Sequence, residues 1–527
     1  MSGKPRSKIF MRCPPACALA AVLTLVACGV SAGQNGPALY YNQDCTDFFW
    51  NAGIREGQAG EAIDRYVDRI ADAGVTVFLC NSNARRVNYR SRVWDAFWDG
   101  YDPAGPDDQP FLSPIAPAKR AQYRLGIGRM LAVHQEGVDY PARVIERCRQ
   151  RKVSPWITLR MNDCHENDIP DHPFHGSFWV KHPQLRRQNC TGYFATCLDY
   201  AQPMVRDYFM ALIEETLERY DIDGLELDFM REPYLFSANK ETEGAPILTA
   251  WLREVRQRTT AAAARRGHPV RLGVRVPSRP ETALGMGLDA ITWAREGVID
   301  LLVVTPRWAT LEFGLPISEW RRRLGDARVT IAGGLEILYR PVPAGPAQHV
   351  SPELARGAAS LVLADGADAV YLFNFFPGAL PPEVYQSTLR SLSSLDSLLK
   401  LPRTIGVTYR DITAPGEPYQ PPLPAKGREA VFRMQLGPLP PKDWRCEAVL
   451  GFATDAGTPE SNPSVFVDGH RCEFIEHPEA KGSPRFMSYR IPIGELSASR
   501  THELKVVSGN ETPFEICQVE VRLSPGP

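Results

Sequence analysis

An excess of charge of either sign is the first thing this sequence lacks. Its 60 Lys and Arg balance 61 Asp and Glu for a formal net charge of −1, so composition offers no electrostatic case for nucleic-acid binding. No glycine-rich dinucleotide fingerprint follows the first apolar run, which argues against a doubly wound nucleotide-binding sheet. No pair of CxxC motifs and no His/Cys cluster at metal-ligand spacing occurs, so a structural zinc site is not expected. After the N-terminal segment nothing reads as membrane-spanning, and no period typical of solenoids or propellers recurs. What is present fits a globular chain of more than one domain: 527 residues, 44% hydrophobic, with 46 Pro and 41 Gly spread among long, shaped loops.

The first 36 residues read as an export segment. Lys4, Arg6, Lys8 and Arg12 precede the apolar run "ACALAAVLTLVACGVSA", which is short for a membrane span. Two cleavage signals compete within it. "LVAC", ending at Cys28, resembles a bacterial lipobox, and a lipidated Cys28 would anchor the chain to a membrane. "VSA", Val30 to Ala32, reads as an ordinary secretory site. Either signal predicts an exported protein, in the cell envelope or secreted. Export turns attention to disulfides. Setting aside Cys13, Cys17 and Cys28 leaves nine cysteines, an odd number, and Cys190 and Cys197 around "CTGYFATC" form the expected bridge.

Across residues 37–400, short apolar runs such as "VTVFLCN", "SPWITLRMND", "DGLELDF" and "DAVYLFNF" alternate with segments of helical period. Eight such runs predict a (β/α)8 TIM barrel, whose functional groups belong at the C-terminal ends of the strands. Those ends carry Asn42 and Asp44, Asn83, Arg160 with Asn162 and Asp163, Asp228 with Arg231, Arg275, Trp308, Glu336 and Asn374. Together they form a rim able to hydrogen-bond hydroxyls and stack on sugar rings. Residues 401–424 read as a Pro-rich linker. Residues 425–527, with six strand-like runs separated by turns, predict an all-β sandwich.

The stretch "DGLELDFMREP" puts Glu226 and Asp228 on one face of a strand otherwise built for burial. Buried carboxylates are costly unless paired, hydrogen-bonded or used. With "LDYAQPMVRDY" upstream and "RMND" on the preceding strand, this stretch resembles the glycosyl-hydrolase-like (family 10-like) barrels of exported bacterial proteins. The resemblance implies a carbohydrate partner, no organic cofactor and hydrolysis of glycosidic bonds. Chitinases carry DGxDxDxE here, and Met230 stands where their proton donor would be. The α-amylase-like pattern GxRxD is matched at Asp228 but has Glu226 in place of its Arg.

In many retaining barrel glycosidases the two acids come from strands four and seven, which makes Asp228 and Glu336 the expected pair, one protonated and one ionised. Glu226 is expected either to raise the pKa of Asp228 by repulsion or to pair with Arg160 or Arg275. Asn83, Arg160, Asn162, Asp163, Arg231, Arg275, Trp308 and Asn374 are the expected substrate contacts. Two other readings stand beside this one: a carbohydrate-binding barrel without turnover, and a metal-assisted hydrolase using Asp163, His165 and Asp228, with His172 and His175 nearby. The segment "NARRVNYRSRVWDAFWDGYDP" reads equally as a sugar-gripping surface, through Arg85, Arg86, Arg90 and Arg92, or as a packed lid.

Overall fold

Strands with two apolar faces belong in a closed sheet covered by helices, and that is how the chain folds. In a computed structural model, residues 38–51, 53–453, 461–475, 484–510 and 512–526 are described. The export segment and Cys28 lie outside the described residues. Eight parallel strands, Ala38–Gln43, Val77–Asn81, Ser154–Arg160, Gly224–Asp228, Arg271–Pro277, Leu301–Thr305, Thr330–Glu336 and Ala369–Phe373, each pair with their neighbours in sequence, and the eighth pairs with the first. The order is that of a TIM-type barrel.

The period of two sorts each strand. Leu225 and Leu227 turn outward into the apolar layer shared with helices such as Pro203–Arg219 and Glu241–Arg266. Inside the barrel, Tyr40, Leu79, Trp156, Leu301, Val303, Tyr371 and Phe373 form a separate cluster. Trp156 plugs this interior, and two neighbouring strands make room for it with glycine. A Cβ on Gly224 would run into the indole, and one on Gly273 would stand 3.1 Å from it. Gly224→Ala is therefore expected to cost about 1–3 kcal/mol through overpacking, read as a lower urea midpoint with an unchanged slope.

Beyond the barrel, two antiparallel sheets share one hydrophobic core that includes Phe432, Leu450, Val465, Leu504 and Val521. Leu361, on barrel helix Pro352–Ala364, joins that core. The expected linker needs correction: Arg403–Gly406 pairs antiparallel with Phe514–Ser524, so residues 403–406 already belong to the sheet. The Pro-rich composition of the remainder hid this four-residue strand.

A cavity of about 420 Å³ lies between the barrel and these sheets, with Arg279, Glu312, Tyr409, Arg410, Tyr419 and Gln435 among its lining. Glu312 is buried and accepts a 3.2 Å hydrogen bond from Ser278. Burial pushes its carboxyl up to about 7, against the neighbouring Arg279. A raised folded pKa means stability that is full below the unfolded value near 4.5 and is lost as pH rises through about 7. Relative to Glu312→Gln, the wild type should lose roughly 3 kcal/mol between pH 4 and pH 8. Denaturant titrations of both proteins across that range check this, and the difference cancels the contributions of other buried acids.

Candidate functional site

Register fixes the centre of the site. The fourth strand sets Glu226 beside Thr158, and Asp228 between Arg160 and Arg275. Asp228 is 1% exposed. Its Oδ2 accepts from Arg275 Nη1 at 2.7 Å, and its Oδ1 accepts from the main-chain N–H groups of Met230 and Arg231 at 2.9 Å each. Three donors thus converge on Asp228, one of them charged. Arg275 is itself sealed in, donating to the Arg307 carbonyl at 3.2 Å and lying 3.8 Å over the Phe373 ring.

Glu226 sits one layer deeper, away from the strand ends. Its Oε2 accepts from Asn42 at 3.2 Å, Thr158 at 2.6 Å and Tyr371 at 2.9 Å. These contacts correct the expected pairing with Arg160 or Arg275, because the hydroxyls of the inward-facing Thr158 and Tyr371 reach the carboxyl first. Burial, and then the charge of Asp228, push Glu226 upward. The anticipated repulsion thus acts on Glu226. Fully buried in this network, with its Oε1 unpartnered, it forms the floor of the site.

Glu336, at the end of the seventh strand, is also 1% exposed. One oxygen accepts from the Ile337 N–H at 2.9 Å, and the other has no partner. Burial lifts its carboxyl well above the usual range, although Arg275 and Arg231 act in the opposite sense. The strand ends therefore carry an Asp228 with three donors and a Glu336 whose carboxyl burial raises, both near the same arginine, Arg275.

The loops above are built from charged pairs. Arg160 bridges Asp44, at 2.5 Å, and Asp163, at 3.2 Å. Burial opposes ionisation of Asp163, but His165, Arg160 and Arg231 outweigh it and hold the carboxyl low. Arg231 donates from Nη2 to His165 Nε2 at 2.7 Å, which leaves His165 Nδ1–H to donate to Asp163 at 2.9 Å. The same guanidinium lies 5.8 Å from the Trp308 ring, and its Nε and Nη1 have no partner. Trp308, 40% exposed, and Tyr193 present aromatic faces to solvent.

Sequence reasoning overlooked several supports of this rim. Buried Glu232 binds Arg307 at 2.8 Å and Tyr193 at 3.1 Å. Asp411 accepts from the main-chain N–H groups of Arg307, Trp308 and Ala309. Glu232 lies within the stretch "DGLELDFMREP", four residues after Asp228, and was open to notice. Asp411 sits in the stretch read as a linker, where no periodicity marks it.

Other expected contacts are spent elsewhere. Asn83 exchanges hydrogen bonds with the Arg160 main chain, and Asn162 does the same with Leu198. Both are corrected from substrate contacts to loop braces, since their amides have main-chain partners on both sides. Asn374 is buried in a left-handed turn with its Oδ1 unpartnered. The arginine-rich segment is a packed lid. Tyr89, Trp94 and Trp98 are buried, Arg85 stacks 4.0 Å from Trp179, and Glu215 binds Tyr89, Ser91 and the Arg92 main chain.

Among the described residues no three potential ligands converge, and both ring nitrogens of His165 are taken by Asp163 and Arg231. Burial lowers His172 to about 4 and His175 to about 3, and His175 is held by Arg85 at 2.5 Å. The expected Cys190–Cys197 bridge is also corrected. Cys197 lies against Cys164, while Cys190 donates to the Gln188 carbonyl.

Residues 114–245 match the Glycosyl hydrolase-like 10 family. That quarter of the chain carries Arg160, Asp163, Asp228 and Arg231. Among solved structures, α-L-fucosidase isoenzyme 2 from Paenibacillus thiaminolyticus is similar at 13% identity and a TM-score of 0.40, over 68% of this chain and 49% of that one. The PgaB (BpsB) glycoside hydrolase domain from Bordetella bronchiseptica is similar at 11% identity and a TM-score of 0.39, over 68% and 99%. The chain thus spans about half the length of the first of these. No curated protein matches it.

Proposed function

We propose that this protein is an exported glycoside hydrolase that cleaves glycosidic bonds of a poly- or oligosaccharide with Asp228 and Glu336. One observation carries the reading: of the two strand-end acids near Arg275, Asp228 accepts from three donors, whereas Glu336 is buried with one oxygen unpartnered and its carboxyl raised by that burial. Glycosidic cleavage needs that division. Glu336 gives its proton to the leaving oxygen, and Asp228 attacks the anomeric carbon or activates water. Arg231 and Trp308 form the cover, and a substrate enters by moving the Arg231 guanidinium off His165. Asn374 and Arg160 supply further polar groups at the neighbouring strand ends. The match to a glycosyl-hydrolase-like family supports a carbohydrate substrate. Export, with or without lipid on Cys28, rests on the basic and apolar N-terminal pattern.

A carbohydrate-binding barrel without turnover is favoured by a different observation, the near-complete burial of both acids. A screen of the purified mature protein against polysaccharides and aryl glycosides, with calorimetry in parallel, separates the two. Turnover establishes the hydrolase. Sugar binding with no turnover on any substrate establishes the binder.

A further inference from the structure

Nine cysteines are described as free thiols, and two of them stand apart from the rest. Cys164 Sγ and Cys197 Sγ are 3.2 Å from each other, closer than sulfur atoms without a bond normally rest, and both residues are fully buried. The loops that bring them together are already joined on either side. Asn162 pairs with the Leu198 main chain, Trp179 donates to the Thr196 carbonyl, and Asn167 donates to the Tyr193 carbonyl.

We propose that Cys164 and Cys197 form a disulfide in the mature protein, and that this bond fixes one wall of the candidate site. The two thiols give up two protons and two electrons to a disulfide donor, either a small disulfide or an oxidoreductase, which leaves as two thiols. Closing the bond shortens the sulfur separation by about 1 Å, to the ordinary length near 2.05 Å. Because both sulfurs are sealed in the folded protein, exchange takes place before loop 185–200 settles on the third-strand loop.

The wall argument follows from what the bond joins. Cys164 lies between Asp163 and His165, the residues that hold Arg160 and Arg231. Cys197 ends the short helical turn Tyr193–Thr196, whose Tyr193 reaches Glu232 and whose Tyr193 and Phe194 rings cover Arg307 at 5.3 and 4.8 Å. A Cys164–Cys197 bond therefore ties the start of the long loop after strand three to its far end, whose aromatic edge meets Glu232 and Arg307. Cys190, seven residues earlier and partly exposed, stays among the seven remaining described thiols.

The test is a non-reducing peptide map of the full mature chain, folded in an oxidising compartment and alkylated in denaturant. The expected result is one linked peptide pair containing Cys164 and Cys197, lighter by two hydrogens than the separate peptides, with Cys190 alkylated. Alkylation of both Cys164 and Cys197, or a Cys190–Cys197 link, overturns the proposal. Thermal unfolding gives a second readout. Reductant in mild denaturant should lower the wild-type Tm by about 2–4 °C and leave a Cys164→Ser/Cys197→Ser variant unmoved. Equal sensitivity of the two proteins to reductant overturns the proposal independently.

Discussion

Asp228→Asn is expected to reduce turnover by at least about 10³-fold, the scale of losing a group whose charge is used in the transition state. The substitution keeps the shape of the side chain and removes its charge. Arg275 then keeps its contacts with the Arg307 carbonyl and the Phe373 ring but loses its only carboxylate partner among the described residues. Breaking one side of a buried ion pair costs about 3–5 kcal/mol, so the variant should also melt earlier. Assays well below its new Tm, beside a far-UV spectrum matching the wild type, keep the catalytic loss separate from unfolding. A variant that remains folded and turns over at the wild-type rate removes Asp228 from the chemistry.

Glu336→Gln should lower turnover of unactivated glycosides by about 10²–10⁴-fold, the usual contribution of a positioned general acid. Its stability should move the other way from that of the Asp228 variant. The wild-type carboxyl is pushed up by burial, so its share of stability is full at low pH and declines as pH rises through its folded pKa. An amide has no charge to bury, and the variant should therefore lose less stability than the wild type on going from pH 5 to pH 9. The activity profile has the same origin. Wild-type turnover should fall on the alkaline side as Glu336 gives up its proton to solvent, and that limb should be missing in the variant.

The barrel was legible because its signal is redundant. Eight apolar runs, each separated by helical period, leave few other ways to bury them, and Gly224 to Asp228 could be placed at a strand end from alternation alone. The acids were legible for the same reason, since a carboxylate in a buried strand is conspicuous. Their partners were not. Thr158 and Tyr371 look like ordinary strand residues; register with the neighbouring strand brings Thr158 to Glu226 from 68 positions away, and closure of the barrel brings Tyr371 from 145. Asn83 and Asn162 misled because an asparagine at a strand end looks the same whether it faces a ligand or braces a loop. The cysteines misled by spacing: Cys190 is close to Cys197 in sequence, but the fold delivers Cys164 from 33 residues away.

The central claim is that Glu336 supplies a proton and Asp228 does not. It is tested most directly by measuring kcat/KM for a series of aryl glycosides of increasing leaving-group acidity, with the wild type, Glu336→Gln and Asp228→Asn side by side. The account predicts that Glu336→Gln recovers toward the wild-type rate as the leaving group needs less protonation, while Asp228→Asn stays low throughout. A uniform loss in Glu336→Gln across the series, or recovery in Asp228→Asn instead, would contradict it.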